Sequence, residues 1–149
     1  MSEAANIVIP VKGLAAGKTR LKDTLSDNER YSLNSWLTKR TLRIAAENSG
    51  PHSLYVVSTD KEVETLSNEV DAIFLLQQST GLNEGLAEAA ASLPPLPSLY
   101  LAADLPTVTS SDIQLLLELP FIGIAPDGAE TGTNALRVPT PTTLTFQFG

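Results

Sequence analysis

Nine residues, Lys12-Gly13-Leu14-Ala15-Ala16-Gly17-Lys18-Thr19-Arg20, follow the apolar run NIVIPV and combine glycines with cations. Open backbone N–H groups and side-chain cations together can neutralise the oxygens of a phosphate. The spacing is not that of a Walker loop. That motif needs Gly, four residues, then Gly-Lys-Ser/Thr, and only three residues separate Gly13 from Gly17. A Walker loop also feeds a sustained helix whose N-terminus faces the phosphate. Here a new helix-capping sequence begins at Ser26, shortly after Thr19. A nucleotidyltransferase loop applies the same chemistry differently. Cations after the first strand grip a nucleoside triphosphate, and a carboxylate from later in the chain holds a divalent metal for an in-line attack. Lys12, Lys18 and Arg20 supply the cations, and Asp104, after the apolar run SLYLA, supplies the carboxylate.

The surrounding chain is acidic, with a net charge of -7. That balance disfavours a nucleic-acid footprint, which is basic. Against it, Lys12, Lys18, Arg20 and Lys22 place four of the ten Lys and Arg in one short stretch. A local cationic loop on an acidic protein suits a small anionic ligand. There is no Cys, which excludes disulfides and thiolate metal sites. No run approaches the ~20 apolar residues of a membrane span. The N-terminus MSEAANIVIP lacks a basic n-region, so the expectation is a cytoplasmic protein without a signal peptide. At 149 residues the chain has the length of one domain.

Alternating elements must position these residues. Apolar runs at 6–11, 54–58, 72–76, 98–102, 121–125 and 134–138 predict six strands. Between them, helices are predicted at 26–48, 61–68, 82–93 and 109–119. Ser26-Asp27-Asn28-Glu29 forms a capping box for the first, and Thr109 caps the last. Leu33, Trp36, Leu37 and Ile44 are expected on the buried face of the first long helix, with Trp36 as a core anchor. Tyr31, Tyr55 and Tyr100 are expected in the core or at its edge, and His52 in an exposed turn. Regular strand–helix alternation with continuous apolar strands predicts an α/β fold, mostly parallel, with helices on both faces. Ligands then bind at the carboxyl ends of the strands, where the glycine loop, Asp104 and Asp127 are all expected.

The segments IVIPVKGLAAGKTRL, LSDNER, VVSTD, GLNEGL, LAADLP and PDGAETGTNAL, in this order and spacing, resemble the 2-phospho-L-lactate guanylyltransferase family of deazaflavin-coenzyme biosynthesis. Relatives in that family use phosphoenolpyruvate or 3-phosphoglycerate. The resemblance implies a single Rossmann-like nucleotide-diphospho-sugar transferase domain over 1–149. It implies transfer of GMP from GTP to a phosphorylated three-carbon acid, with Mg²⁺ as cofactor and pyrophosphate as product. Lys18, Arg20 and Asp104 would then be catalytic, and Asp104 and Asp127 would hold the metal. Pro10, Val11, Lys12, Lys18, Leu82, Asn83 and Asp104 would bind the nucleotide, with Asn83 also a possible helix N-cap. Thr133, Asn134 and Gly149 would contact the acceptor. The family continues past its Phe-Gly pair into a segment that helps hold the acceptor, whereas this sequence stops at Phe148-Gly149. The implied partners are GTP and the small acid, with neither nucleic acid nor membrane, in a monomer or homodimer. A P-loop-like NTPase and a non-catalytic nucleotide-binding relative are the alternatives.

Overall fold

A computed structural model of the chain describes residues 4–14, 24–48, 53–103, 105, 107–119, 123–126 and 133–139. The strands are β1 (Asn6–Pro10), β2 (Ser53–Ser58), β3 (Ile73–Leu76), β4 (Ser98–Leu101), β5 (Gly123–Pro126) and β6 (Thr133–Val138). The helices are α1 (Asp27–Glu47), α2 (Glu62–Asn68), α3 (Leu82–Ser92) and α4 (Ser110–Leu117). They form one six-stranded sheet in the order β3-β2-β1-β4-β6-β5. Strands β1 to β4 pair in parallel where they meet, and β6 is antiparallel to both β4 and β5. Five strands therefore run one way and β6 alone runs the other. The expected mostly parallel sheet is observed, with one reversed strand set inside it.

The run Ile7-Val8-Ile9 is continuously apolar because β1 is covered on both faces. Ile7 and Ile9 join Leu54, Val56, Leu99 and Leu101 beneath α1, α2 and α4. Val8 joins Tyr55, Val57 and Tyr100 beneath α3, through Leu86, Ala89 and Ala90. The chain first winds outward from β1 to β3. It then crosses back through α3 to β4, on the other side of β1. At that reversal, between the carboxyl ends of β1 and β4, such sheets usually place their ligand crevice.

The predicted capping box at Ser26 forms, and the predicted cap at Thr109 is a second one. Ser26 Oγ accepts from Glu29 N while Glu29 Oε1 accepts from Ser26 N, and Thr109 and Asp112 exchange the same pair of bonds. The predicted buried face of α1 forms in part: Leu37 is buried and Ile44 packs against the core, but Leu33 is only half-buried and Trp36 faces out. Trp36 is 56% exposed, and the buried stripe is Arg30, Asn34, Leu37, Thr38, Thr41, Leu42 and Ala45. Polar residues occupy much of the stripe that hydrophobicity alone assigns to Leu33 and Trp36, because that stripe faces loop backbone as well as core. Of the tyrosines, Tyr55 and Tyr100 are buried, whereas Tyr31 is partly exposed and donates to Glu62 Oε2 at 3.2 Å. His52 lies outside the described residues.

Trp36→Ala is accordingly expected to lower stability by less than about 1 kcal/mol, as for a largely exposed side chain. Leu42→Ala, at a site 1% exposed, is expected to lower it by ~2–5 kcal/mol. Urea denaturation of both variants distinguishes the two; equal losses would restore Trp36 as a core anchor.

Candidate active site at the carboxyl end of the sheet

A strand's last residues keep a backbone partner, but the loop beyond it does not, and an unpaired buried carbonyl or N–H costs about 1–3 kcal/mol. Among the described residues, side chains fill that gap behind the loops after β1, β3 and β4. After β1, Val11 N still donates to Val57 O at 2.8 Å. Three residues on, Leu14 N donates to Asp60 Oδ2 at 3.1 Å, and Leu14 O accepts from Asn34 Nδ2 at 2.9 Å. After β4, Thr41 Oγ1 donates to Ala103 O at 2.8 Å. Arg40 then donates through Nη1 to Leu105 O and through Nη2 to Val108 O, at 3.1 and 2.9 Å. One helix, α1, thus holds the loops on either side of the crevice.

The loop between β3 and α3 is held from its own side. Gln77 Nε2 donates to Ser79 O and Gly81 O at 2.9 and 2.7 Å. Glu88 accepts from Gln78 N, Ser79 N and the Ser79 hydroxyl, the last at 2.6 Å. These bonds favour the carboxylate, so Glu88 is held below its ordinary value of 4.5, chiefly by the Ser79 hydroxyl. The same loop explains Gly85. A Cβ there would lie 2.3 Å from Gln77 Oε1, and moving that amide would break both of its bonds to the loop.

The residues expected at the site converge on this end of the sheet as far as they are described. Pro10, Val11 and Lys12 leave β1 there. Lys12 is exposed, whereas the Val11 side chain is buried in the core, which leaves backbone atoms as its means of touching a ligand. Leu82 and Asn83 are the first two residues of α3. Asn83 is not the N-cap; Gly81 holds that position, without a side-chain bond. Thr133 and Asn134 begin the reversed strand β6, so they lie level with the ends of the other five. Pairing there shifts register: Ala125 faces Ala135 but Pro126 faces Thr133. Asn134 is therefore the extra residue of a β-bulge, a device that re-aims side chains near active sites.

Lys18, Arg20, Asp104, Asp127 and Gly149 lie outside the described residues. Their described neighbours mark where they attach: Ala103 and Leu105 flank Asp104 beyond β4, and Pro126 precedes Asp127 at the end of β5. Among the described residues no cluster of three His, Cys, Asp or Glu could hold a metal. Mg²⁺ does not need one, since one or two carboxylates with phosphate oxygens suffice. The two carboxylates expected as its ligands, Asp104 and Asp127, are of that donor type.

Residues missed by motif reading are the ones behind the loops: Asn34, Arg40, Thr41, Asp60, Gln77 and Glu88. Asp60 was visible as the last residue of VVSTD, and Arg30, in LSDNER, is buried one turn before Asn34. A separate groove of about 620 Å³ lies at the opposite, amino end of the sheet, lined by Arg43, Glu47, Glu69, Asp71 and Ile73. It shares no residue with the carboxyl-end loops.

The family model for guanylyl transferase CofC-like proteins matches residues 5–149. This chain belongs to that family. It is 36% identical over 154 residues to a phosphoenolpyruvate guanylyltransferase of Rubrobacter xylanophilus, covering 95% of this chain and 72% of the relative. It is 31% identical to the enzyme of the same name from Chloroflexus aggregans, covering 96% and 76%. A 3-phospho-D-glycerate guanylyltransferase of Colwellia psychrerythraea is 29% identical, covering 97% and 71%. Among solved structures, a nucleotidyl transferase from Methanothermobacter superposes with a TM-score of 0.61 at 14% identity, covering 89% of this chain and 70% of that one. A CMP:2-keto-3-deoxy-manno-octonic acid synthetase superposes with a TM-score of 0.52 at 14% identity, covering 93% and 73%. These likenesses show the fold, that of nucleotide-diphospho-sugar transferases. No described helix is long and apolar enough to cross a membrane.

Two outcomes are expected from the loop anchors. A group with a depressed folded value contributes stability above its unfolded value, and that stability is lost as pH falls through the folded value. The Glu88 clamp should therefore persist at pH 4.5 and release only at more acidic pH, seen as late titration of the Gln78 and Ser79 amide shifts by NMR. Titration at or above 4.5 would contradict it. Thr41→Val, which leaves Ala103 O without its donor, should cost ~1–2 kcal/mol in urea denaturation; an unchanged midpoint would show that water replaces the hydroxyl.

Proposed function

We propose that this chain transfers the guanylyl group of GTP to a phosphorylated three-carbon acid and releases pyrophosphate. A phosphate oxygen of the acid attacks the α-phosphorus of GTP. The bond from that phosphorus to the β-bridging oxygen breaks, and pyrophosphate leaves with the electron pair. Such transfers ask the protein mainly for positioning and charge stabilisation. Lys12, Lys18 and Arg20 carry the positive charge for the triphosphate and the departing pyrophosphate. Pro10, Val11, Leu82 and Asn83 line the nucleotide side of the crevice, and Thr133, Asn134 and Gly149 the acceptor side. Asp104, supported by Asp127, holds Mg²⁺, which supplies charge neutralisation on the phosphates when bound.

The observation that supports this reading best is the convergence at one sheet end. The start of the basic loop, the beginning of α3, the ends of β4 and β5 and the bulged start of β6 meet there in a chain of this family. Phosphoenolpyruvate is the acceptor we favour over 3-phosphoglycerate and 2-phospho-L-lactate, because the relatives at up to 36% identity bear its name. We assign that product to deazaflavin-coenzyme biosynthesis, as the family resemblance implies.

The test is pyrophosphate release from GTP and Mg²⁺ with each of the three acids, beside Asp104→Ala. Release should require phosphoenolpyruvate and fall by about 100-fold or more in the variant, the scale of losing one electrostatic stabiliser at a reacting centre. Inorganic phosphate released without any acid would replace the transferase by an NTPase.

A further inference from the structure

Asp60 is a third carboxylate at the carboxyl end of the sheet, beside the first loop, and its bonds distinguish it from a metal ligand. Its Oδ2 accepts from Leu14 N at 3.1 Å and its Oδ1 accepts from Glu62 N at 2.9 Å. Its own N–H donates to Ser58 Oγ at 3.1 Å. Both oxygens thus face backbone N–H groups on two different segments. From the opposite side, Asn34 of α1 donates to Leu14 O at 2.9 Å, from a side chain 9% exposed. The N–H and the C=O of one residue are therefore each gripped by a side chain from a different element. Leu14 adds its own side chain, 3% exposed, to the core.

Leu14 is the last described residue before Gly17, Lys18 and Arg20. Whatever direction the chain takes toward those cations is set from a residue held at N–H, C=O and side chain. We infer that Asp60 and Asn34 are positioning residues that fix the origin of the triphosphate-binding loop. Asp60 does so as a hydrogen-bond acceptor and not as a metal ligand; the inference rests on the guanylyl-transfer reading above. Loss of either grip releases one side of the Leu14 peptide, so the two residues act as one unit, and removing both does little more than removing one.

The experiment measures GTP affinity by titration calorimetry, the KM of the acceptor acid, and the Mg²⁺ concentration giving half-maximal rate. The variants are Asp60→Asn, Asn34→Ala and the pair, with Leu117→Ala as a destabilised control whose core site is far along α4. Asp60→Asn preserves shape and one acceptor oxygen, so it folds where Asp60→Ala risks not folding. Asp60→Asn and Asn34→Ala should each weaken GTP binding about tenfold, the effect of one lost charge-assisted or buried hydrogen bond. The double variant should match the worse single, while acceptor KM and Mg²⁺ half-saturation stay unchanged. Leu117→Ala should keep wild-type GTP affinity.

Wild-type affinity in both single variants, or a loss no larger than that of the control, would overturn the inference. A raised Mg²⁺ requirement in Asp60→Asn would make Asp60 a metal ligand and overturn it equally. Failure of the wild-type protein to bind GTP at all would instead remove the guanylyl-transfer reading, and the positioning role with it.

Discussion

The structure depends on a constraint that parallel sheets impose on their own active sites. Strands stop pairing where the site begins, so the loops that must hold a ligand still lose their backbone partners at that boundary. An enzyme of this fold has to supply those partners from side chains, and α1 supplies four of them, for the loops after β1 and β4. Its buried stripe carries Asn34, Thr38 and Thr41 among Leu37, Leu42 and Ala45. The apolar members pack on the sheet, and Asn34 and Thr41 reach the loops on the two sides of the crevice. Arg40, half-buried beside them, extends the second hold to Leu105 and Val108. Two loops anchored to one rigid rod have a fixed separation. Groups on the two loops that act together need that separation, since catalytic geometry tolerates little error.

The fold was legible because its signals are local and redundant. Three consecutive β-branched residues at 7–9 mark a strand covered on both faces, and Ser26 with Glu29 marks a helix start, whatever the rest of the chain does. The reversed strand β6 was not legible. Its sequence NALRV is as apolar as its neighbours, and direction is decided by where β5 ends and which edge remains open. The inserted strand has a consequence for the site, since reversal brings its first residues to the carboxyl end. Thr133 and Asn134 could not reach that end from a parallel β6, whose beginning would lie at the amino end.

The site was legible only in part, for a physical reason. Motif reading selects charged and glycine-rich residues in loops, which is how Lys12 became a candidate, and the family resemblance added Asn83 and Thr133 as expectations. Residues that hold a loop from behind carry no such mark. Asn34, Thr41 and Gln77 are ordinary polar side chains, and their value lies in the buried backbone groups they satisfy. The misassigned face of α1 has the same origin. A hydrophobic pattern places Trp36 inside because it treats the buried side of a helix as apolar, and α1 buries polar atoms as part of its task.

Charge completes the division of labour. The protein is acidic overall, yet the cations of the first loop are concentrated after Leu14, beyond the point where Asp60 grips the backbone. A carboxylate placed there would weaken a phosphate site if it faced the ligand. With both oxygens committed to backbone N–H groups, its charge lends strength to two hydrogen bonds and is partly neutralised by them. Glu88 is arranged the same way behind the β3–α3 loop, with its oxygens on Gln78 and Ser79. Sequence alone cannot separate a carboxylate that faces a ligand from one that turns to backbone N–H groups and stiffens a loop from behind, as Asp60 and Glu88 do.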